Sequence, residues 1–500
     1  KVYTRFPPEP NGYLHIGHAK AMNFSFNYAK IHGGHTYLRY DDTNPSSEKK
    51  EYFDSIRESV EWLGFHPWKV THASDYFQQL YEYAVVLIKK GLAYVCHMKQ
   101  EEILESRGGK DRRGKRYNSR WRDRPVAENL SEFQKMKDGE YKEGEAVLRL
   151  KMDIESGNPL MWDLVAYRVC YKKHVRTGDR WCIYPMYDFA HCLCDSIENI
   201  THSLCTSEFI LAREAYFWIC DAVGVYKPVQ WEYSRLEITN TILSKRNIAK
   251  LISLGVVCDW DDPRLFTLPG LRRRGFPPEA INIFVQSLGV TKSNSTIDVC
   301  VLENIVRRVM GETCAKRMAV FDPVRVLLSG VGEDFSVVVG EGEERIVLGK
   351  EFFIEREDLR YLSSSEGGSV GLIGASVFIA RAGEADGDET LLRAVVSEKK
   401  PRHFIQWLPC GEAVEARVNK YSRLFTVPAP GECSDVLQVV SKSSLEVLEG
   451  CYIDPRIRNV KAGDCFQFLR KGFFCVDTST APGRIVLNLT IGLKEKKKEG

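Results

Sequence analysis

Residues Arg5-Phe-Pro-Pro-Glu9-Pro-Asn11-Gly12-Tyr-Leu-His15-Ile-Gly17-His18 constrain the fold of this chain more than any other stretch. Val2 to Phe6 is a short apolar run that reads as a strand. Pro7, Pro8, Asn11 and Gly12 then impose a sharp turn. Ala19 to Lys30 has a helical pattern, and Gly33-Gly34 stops it. A strand that turns tightly into a helix aims backbone N–H groups and the positive dipole end at whatever sits above the turn, which suits phosphate. His15 and His18, at i and i+3 in the first turn, share one face. They can add donors to a charged phosphoryl group in its transition state. The stretch is not a Walker P-loop, because no Gly-Lys-Ser/Thr ending follows.

His35 to Tyr40 reads as a second strand, ending in Asp41-Asp42-Thr43-Asn44-Pro45. Asn44 followed by Pro45 predicts an N-cap with Pro at N1, and the helix beyond carries Phe53, Ile56, Val60 and Leu63 on one face. Repeated strand-turn-helix units predict a parallel doubly wound sheet with ligands outside the carboxyl ends of its strands. Asp41 and Asp42 lie at such an end, where a carboxylate can hold a substrate ammonium or cap the next helix; spacing alone does not choose. Residues 75 to 95 read as another amphipathic helix closing at Gly91. Arg107 to Arg124 then carries nine basic residues with Tyr117 and Trp121 among them, a pattern that suits a nucleic-acid strand or a solvated loop. From about Arg317 helical periodicity gives way to short alternating runs: Ser336 to Val339, Ile346 to Leu348, Glu351 to Ile354, Val377 to Ala380, Leu424 to Val427, Phe466 to Leu469 and Arg484 to Leu489. Gly and Pro separate them, as in β-barrels.

Five hundred residues suggest three or four domains. Lys+Arg 70 against Asp+Glu 67 gives only +3, so net charge carries no argument for nucleic acid; local clusters must supply it. No apolar run approaches membrane-spanning length and no signal-peptide pattern opens the chain. Opening at Lys1, directly on a core strand, it reads as a trimmed or processed piece. Fifteen scattered cysteines read as reduced intracellular thiols, and the expected compartment is the cytoplasm. His191, Cys192 and Cys194 with His202 and Cys205 invite a zinc check, but the Cys-x-Cys spacing favours buried thiols and no metal site is assigned. The tail Lys494-Glu-Lys-Lys-Lys498-Glu reads as a charged end with no site.

The His15-Ile-Gly-His18 run matches the signature of class I aminoacyl-tRNA synthetases, and the flanking Pro-Pro-Glu-Pro-Asn-Gly-Tyr-Leu resembles the glutaminyl/glutamyl branch in its eukaryotic-like form. Thr241-Ile-Leu243-Ser244-Lys245-Arg246 resembles the second, mobile signature, with Leu for Met, a swap that keeps volume. The resemblance runs from Thr4 to about Leu493. It implies a multidomain chain, α/β plus all-β. A Rossmann-type catalytic domain occupies 1–95 and 181–240, around an acceptor-end-binding insertion at 96–180. A signature loop and helical stem-contact domain follow at 241–316, then two anticodon-binding β-barrels at 317–500.

The resemblance also implies roles. His15, His18 and Lys245 are the catalytic residues expected to meet phosphate charge. The ATP contacts are Glu9, Pro10, Asn11, Gly17, Ala19, Lys20, Thr206, Arg235, Leu236, Leu243 and Ser244 with those three. Arg5, Asp41, Tyr187 and Gln230 fall on positions that hold glutamine, Asp41 on its α-amino group. Lys292, Lys316, Arg317, Gln467 and Arg470 fall on or near tRNA-contacting positions. Lys316 stands where the family has an Arg and loses its bidentate fork. Leu211 replaces an acceptor-stem acidic residue of some members, and Ser363 to Ser369 lies where the family has basic anticodon readers. Arg272-Arg273-Arg274 could touch phosphate or face water.

Substrate choice turns on Cys205. Glutamyl enzymes carry Arg there, and a buried guanidinium pairs with a carboxylate whereas a thiol does not. Burying glutamate's charge unpaired would cost several kcal/mol. The expected function is therefore ligation of L-glutamine to the 2′-hydroxyl of the terminal adenosine of tRNA(Gln), with ATP and its Mg²⁺ as co-substrate. The alternatives are a glutamyl enzyme and a non-catalytic tRNA-binding relative. Membership of a multi-synthetase assembly is left open.

Overall fold

Val2 sets the first contact of the sheet: its carbonyl accepts from His35 N–H at 2.9 Å, and β1 (Tyr3–Phe6) then runs parallel to β2 (His35–Tyr40), Arg5 opposite Tyr37. In the computed structural model, which describes residues 1–362, 368–382 and 391–494, the chain divides into two units: Lys1–Glu237 with Val285–Thr296, and Ile238–Phe284 with Ile297–Gly500. Residues 363–367 of the basic-free segment and 495–499 of the charged tail lie outside the described residues.

In the first unit α1 (Ile16–Ile31) returns the chain from β1 to β2, and α2 (Lys50–Trp62) leads to β3 (Lys69–His72), parallel to β2. The expected helix start at Asn44-Pro45 does not form; α2 begins five residues after Pro45. Asn44 cannot cap, because its side-chain oxygen accepts from Arg168 Nη2 (2.6 Å) and its N–H donates to the Glu48 carboxylate (2.6 Å). α3 (Phe77–Lys89) is shorter than predicted, and the chain re-enters a sheet at β4 (Ala93–Cys96). After α4 (Gln100–Ser106) and α5 (Val126–Lys137), β5 (Val147–Leu150), β6 (Val165–Val169) and β7 (Ile183–Pro185) complete an antiparallel sheet in sequential order with β4. Both expected boundaries, 95/96 and 180/181, fall at this sheet. Its apolar face is continuous with the helices around it: Phe77, Leu80, Phe133, Tyr167 and Phe189 belong to one core.

α6 (Tyr187–Ile197) leads to β8 (His202–Thr206), and α7 (Ala212–Val223) to β9 (Val229–Tyr233), parallel to β8. β8 lies beside β1, with Thr201 N–H donating to the Tyr3 carbonyl at 3.0 Å. The carboxyl ends of the parallel strands β1, β2 and β3 therefore open on one side, as a doubly wound sheet requires.

The second unit holds α8 (Lys245–Ser253), α9 (Leu268–Arg274) and two seven-stranded sheets among the described residues. Leu424 to Val427 is not a regular strand there. Leu424 and Phe425 instead dock into a small core with Ile248, Leu251 and Val436. Two of the three consecutive arginines neither face water nor await phosphate. Arg273 makes two bonds to Asp477 (2.9 and 3.1 Å), and Arg274 donates to the Thr490 carbonyl (3.1 Å). Only Arg272 is exposed. Among the described residues no helix is long and apolar enough to cross a membrane.

Gly275 closes α9 with φ +93° and sits against the same sheet, where an added Cβ would lie 2.3 Å from Cys475 Cβ. Left-handed strain and overpacking then act together, and Gly275→Ala is expected to lower stability by about 2 kcal/mol or more, read from the thermal unfolding of the second unit.

Candidate functional site

The turn after β1 is held by its own histidines. His15 is the N-cap of α1, and its Nδ1 accepts from Gly17 N–H at 3.1 Å. His18 Nδ1 accepts from His15 N–H at 3.1 Å, and the two rings lie 4.0 Å apart. A ring nitrogen that accepts carries no proton, so both neutral rings bear N–H on Nε2. Two imidazole donors thus sit at a helix N-terminus, an arrangement that can meet oxyanions. Ahead of them Glu9 and Asn11 bond through their side chains, Pro10 is buried, and Ala19 is buried in α1. Gly17 is half-buried, and Lys20 Nζ donates to the Ser234 carbonyl at 2.7 Å.

Beside this turn lies a buried charge cluster. Arg5 on β1 and Arg39 on β2 are 1% and 0% exposed. Asp195 of α6 accepts from Arg5 Nε (2.9 Å) on Oδ1, which also ion-pairs with Arg39 Nη2 at 2.8 Å, and from Tyr216 O–H (2.9 Å) on Oδ2. Glu198 takes Arg39 Nη1 at 2.8 Å. Burial works against the Asp195 charge, but the guanidiniums of Arg5 and Arg39 outweigh it and hold this carboxyl well below the usual range.

Asp41 is the third carboxylate of the cluster. Its Oδ1 accepts from Arg39 Nε at 3.0 Å, while Oδ2 is buried without a hydrogen-bond partner among the described residues. Two guanidiniums face three carboxylates, so one negative charge is unbalanced. Burial pushes the Asp41 pKa up to about 7 despite Arg39. A ligand ammonium would supply both the missing donor and the missing charge.

Arg5 spends its remaining N–H groups on neutral partners. Its Nη1 donates to the Leu204 carbonyl (3.0 Å), and Nη2 to Ser203 Oγ (2.7 Å), His191 Nε2 (2.5 Å) and Cys205 Sγ (3.5 Å). His191 therefore accepts at Nε2 and carries its proton on Nδ1. Burial pushes its pKa down to about 3, so the ring is neutral. Tyr187, the first residue of α6, stacks on it at 5.1 Å and lies 5.7 Å from Phe209. Gln230 is buried on β9, its amide nitrogen donating to the Phe209 carbonyl (3.1 Å) and to Glu232 (2.9 Å). Burial raises the Cys205 thiol, which stays uncharged. Around Arg5 the His191 ring and the Cys205 thiol are thus neutral, and the guanidinium charge is already matched by Asp195.

The zinc reading has no geometric support. His191 and Cys205 both turn to Arg5, while Cys192 and Cys194 are buried in α6. Among the described residues no group of three or more His, Cys, Asp or Glu could hold a metal ion.

Thr206, at the end of β8, bonds Glu208 at 2.7 Å; Arg235 pairs with Glu208, and Leu236 is buried. Leu243, Ser244 and Lys245 belong to the second unit, where Ser244 and Lys245 are exposed at the start of α8. Of the expected tRNA contacts, Lys292 is exposed in the first unit with its ammonium 5.5 Å from the Trp231 ring. In the second unit Lys316 lies directly opposite Gln467 on parallel strands. Arg317 pairs with Glu344 at 2.8 Å, and Arg470 makes two 2.9 Å bonds to Asp358. Both of those charges are already matched within the unit.

Asp195, Glu198, Ser203 and Arg39 carry the site with no signal in their own sequence neighbourhoods. His191 was visible only as a zinc candidate.

A family model described as tRNA synthetases class I (E and Q), catalytic domain, matches residues 1–311, and one described as the anti-codon binding domain of the same class matches 404–477. A probable glutamine–tRNA ligase of Drosophila melanogaster is 45% identical over 99% of this chain, which spans 65% of that relative's length. Glutamine–tRNA ligase of Saccharomyces cerevisiae is 43% identical over 99% of the chain and 69% of its own length. A probable one of Encephalitozoon cuniculi is 46% identical over 99% and 71%. A solved glutamate tRNA ligase of Elizabethkingia meningosepticum aligns with 63% of this chain and 70% of its own, with TM-score 0.47 and 20% identity.

Removing Asp195 leaves the buried Arg5 guanidinium without a carboxylate partner. Asp195→Asn is expected to cost about 3–5 kcal/mol of stability, read by urea unfolding, with surface-pair variants such as Lys227→Ala within about 1 kcal/mol of the parent.

Proposed function

The chain belongs to the class I tRNA synthetases of the E and Q type, and on that premise we propose that it ligates L-glutamine to tRNA(Gln) using ATP as its Mg²⁺ complex. The glutamine carboxylate attacks the α-phosphate in line, the bond from that phosphorus to the bridging oxygen breaks, and pyrophosphate leaves. The 2′-hydroxyl of the terminal adenosine then attacks the glutaminyl carbonyl, and AMP leaves. No protein nucleophile takes part; the protein positions the reactants and stabilises charge.

His15 and His18 offer Nε2–H donors to the phosphate oxygens. Glu9, Pro10, Asn11, Gly17, Ala19 and Lys20 form the turn that receives ATP, together with Thr206, Arg235 and Leu236. Leu243, Ser244 and Lys245 form the second signature, and the Lys245 ammonium is assigned to the departing pyrophosphate. Asp41 takes the α-ammonium, and Tyr187 and Gln230 are assigned to the side chain. Lys292, Lys316, Arg317, Gln467 and Arg470 are assigned to tRNA, with Lys316 and Gln467 the pair best placed to act together. The expected compartment is the cytoplasm.

One observation carries glutamine over glutamate. The guanidinium beside the Cys205 thiol, Arg5, is matched by Asp195 and commits its N–H groups to protein acceptors, and Arg213 nearby is matched by Glu232. A carboxamide needs no counter-charge there. A carboxylate would find none, at a cost of several kcal/mol.

ATP–pyrophosphate exchange, run with glutamine and with glutamate and each with and without tRNA, tests the reading. Exchange is expected with glutamine in the presence of tRNA; exchange driven only by glutamate overturns it. In the same assay Lys245→Ala is expected to lower exchange by about 100-fold while tRNA binding stays within about 2-fold.

Asp41 also sets a pH dependence. Its protonated form cannot hold an ammonium, and its pKa in the unliganded protein lies near 7. Ammonium binding therefore favours the carboxylate and releases a proton below that pH. KM for glutamine is expected to fall as pH rises from 6 to 8, by about 5- to 10-fold, with the ATP KM flat, in steady-state exchange.

A further inference from the structure

β6 and the loop that follows it send three side chains back onto the turn that carries Asp41. Arg168 Nη2 donates to Asn44 Oδ1 at 2.6 Å. Arg176 Nη1 donates to Ser74 Oγ (2.5 Å) and Asp75 (2.8 Å), and Ser74 in turn donates to both carboxylate oxygens of Asp42 (2.9 and 2.6 Å). Between them stands His174, 1% exposed. Its Nδ1 accepts two backbone N–H groups, from Arg176 and Thr177, each at 3.1 Å. That fixes its proton on Nε2, which donates to the Asp42 carbonyl at 2.9 Å. The same nitrogen lies 3.6 Å from the Asp42 carboxylate and 3.5 Å from Glu48 Oε2. The ring is held by Tyr184, stacked at 5.9 Å, and by Phe77, edge-on at 5.4 Å.

The Asp42 carbonyl is on the residue next to Asp41. Asp41 itself is fixed on its other side by its N–H, which donates to the Pro8 carbonyl at 3.0 Å, and by Arg39 on Oδ1. Without the imidazole the Asp42 carbonyl would lose its buried donor, and the turn would relax toward solvent. The bonds that orient His15 and His18, from Gly17 N–H and His15 N–H, run within the first turn of α1.

We propose that His174 is a positioning residue for the substrate amino group, its Nε2–H holding the Asp42 peptide so that Asp41 presents Oδ2 to the ammonium. This rests on the reading of Asp41 given above. His174 touches neither substrate. It acts through the turn, and its loss should therefore be felt in amino-acid binding and not in ATP binding.

The test uses two variants of the full chain. His174→Phe keeps a ring between Phe77 and Tyr184 but removes both hydrogen-bonding nitrogens. His174→Gln restores an amide donor and an acceptor. In ATP–pyrophosphate exchange with tRNA present, His174→Phe is expected to raise the glutamine KM about 10-fold or more with the ATP KM within about 2-fold, and His174→Gln to recover most of the loss. Amide hydrogen exchange at residues 41–48 is expected to quicken in His174→Phe while α6 stays protected, and to return toward the parent in His174→Gln.

A glutamine KM within about 2-fold of the parent in His174→Phe overturns the proposal. So does an equal rise in both KM values that tracks a fall in the melting midpoint and is not recovered by Gln, which marks a merely structural role. If His174→Phe does not fold, His174→Gln decides: unchanged protection at 41–48 with a near-parent glutamine KM supports the proposal, and lost protection or a raised KM defeats it. If the parent shows no exchange with glutamine, the function reading fails, and hydrogen exchange still decides whether His174 holds the Asp41 turn.

Discussion

A single carboxylate joins the parts of the first unit that matter most. Asp195 receives Arg5 from β1 and Arg39 from β2 while standing on α6, more than 150 residues further along the chain. Burying two guanidiniums would be prohibitive without it, and the pair would not stay in place without the sheet register that brings β1 beside β2. Charge balance and topology thus fix each other. Arg39 extends the same cluster to Glu198, which also receives Thr71 Oγ1 at 2.6 Å and Tyr76 O–H at 3.0 Å, so β3 and the turn after it are tied in as well.

That cluster explains how one site can treat two kinds of charge differently. At Asp41 the balance falls one positive charge short, and a buried oxygen lacks a donor. At Arg5 the balance is complete and the donors are committed. The proposed preference for an ammonium at one end and a neutral group at the other rests on where the surplus is left. The phosphate-binding turn a few residues on uses a different principle. Local backbone bonds to Nδ1 of both histidines place their protons on Nε2.

Much of this was legible along the chain. The turn from Arg5 to His18 announced strand, turn and helix, because prolines, Asn11 and Gly12 leave the backbone few choices. His35–Tyr40 and the alternating runs beyond Arg317 were read for the same local reason. The misreadings share a cause. Asn44 looked like a cap until Arg168 and Glu48 claimed its polar groups, and Arg273 and Arg274, read as touching phosphate or facing water, are claimed by Asp477 and the Thr490 carbonyl. Leu424 and Phe425 had strand periodicity but spend their apolar surface on a small helical core. In each case a partner far away in sequence overrode a local preference.

The sequence by itself determined the strand-turn-helix at the first signature, the neutral Cys205 where a cation would otherwise stand, and the change from helical to alternating pattern near Arg317. These depend on residue type and short spacing, which the chain displays directly. Only the tertiary structure decided that Asp195 and Glu198 neutralise Arg5 and Arg39, that His191 is a neutral ring proton-bearing at Nδ1, and that His174 reaches the Asp42 carbonyl across 132 residues. Those facts are differences of charge and hydrogen bonding among groups from separate strands and helices. They come into being when the sheet registers and the core closes.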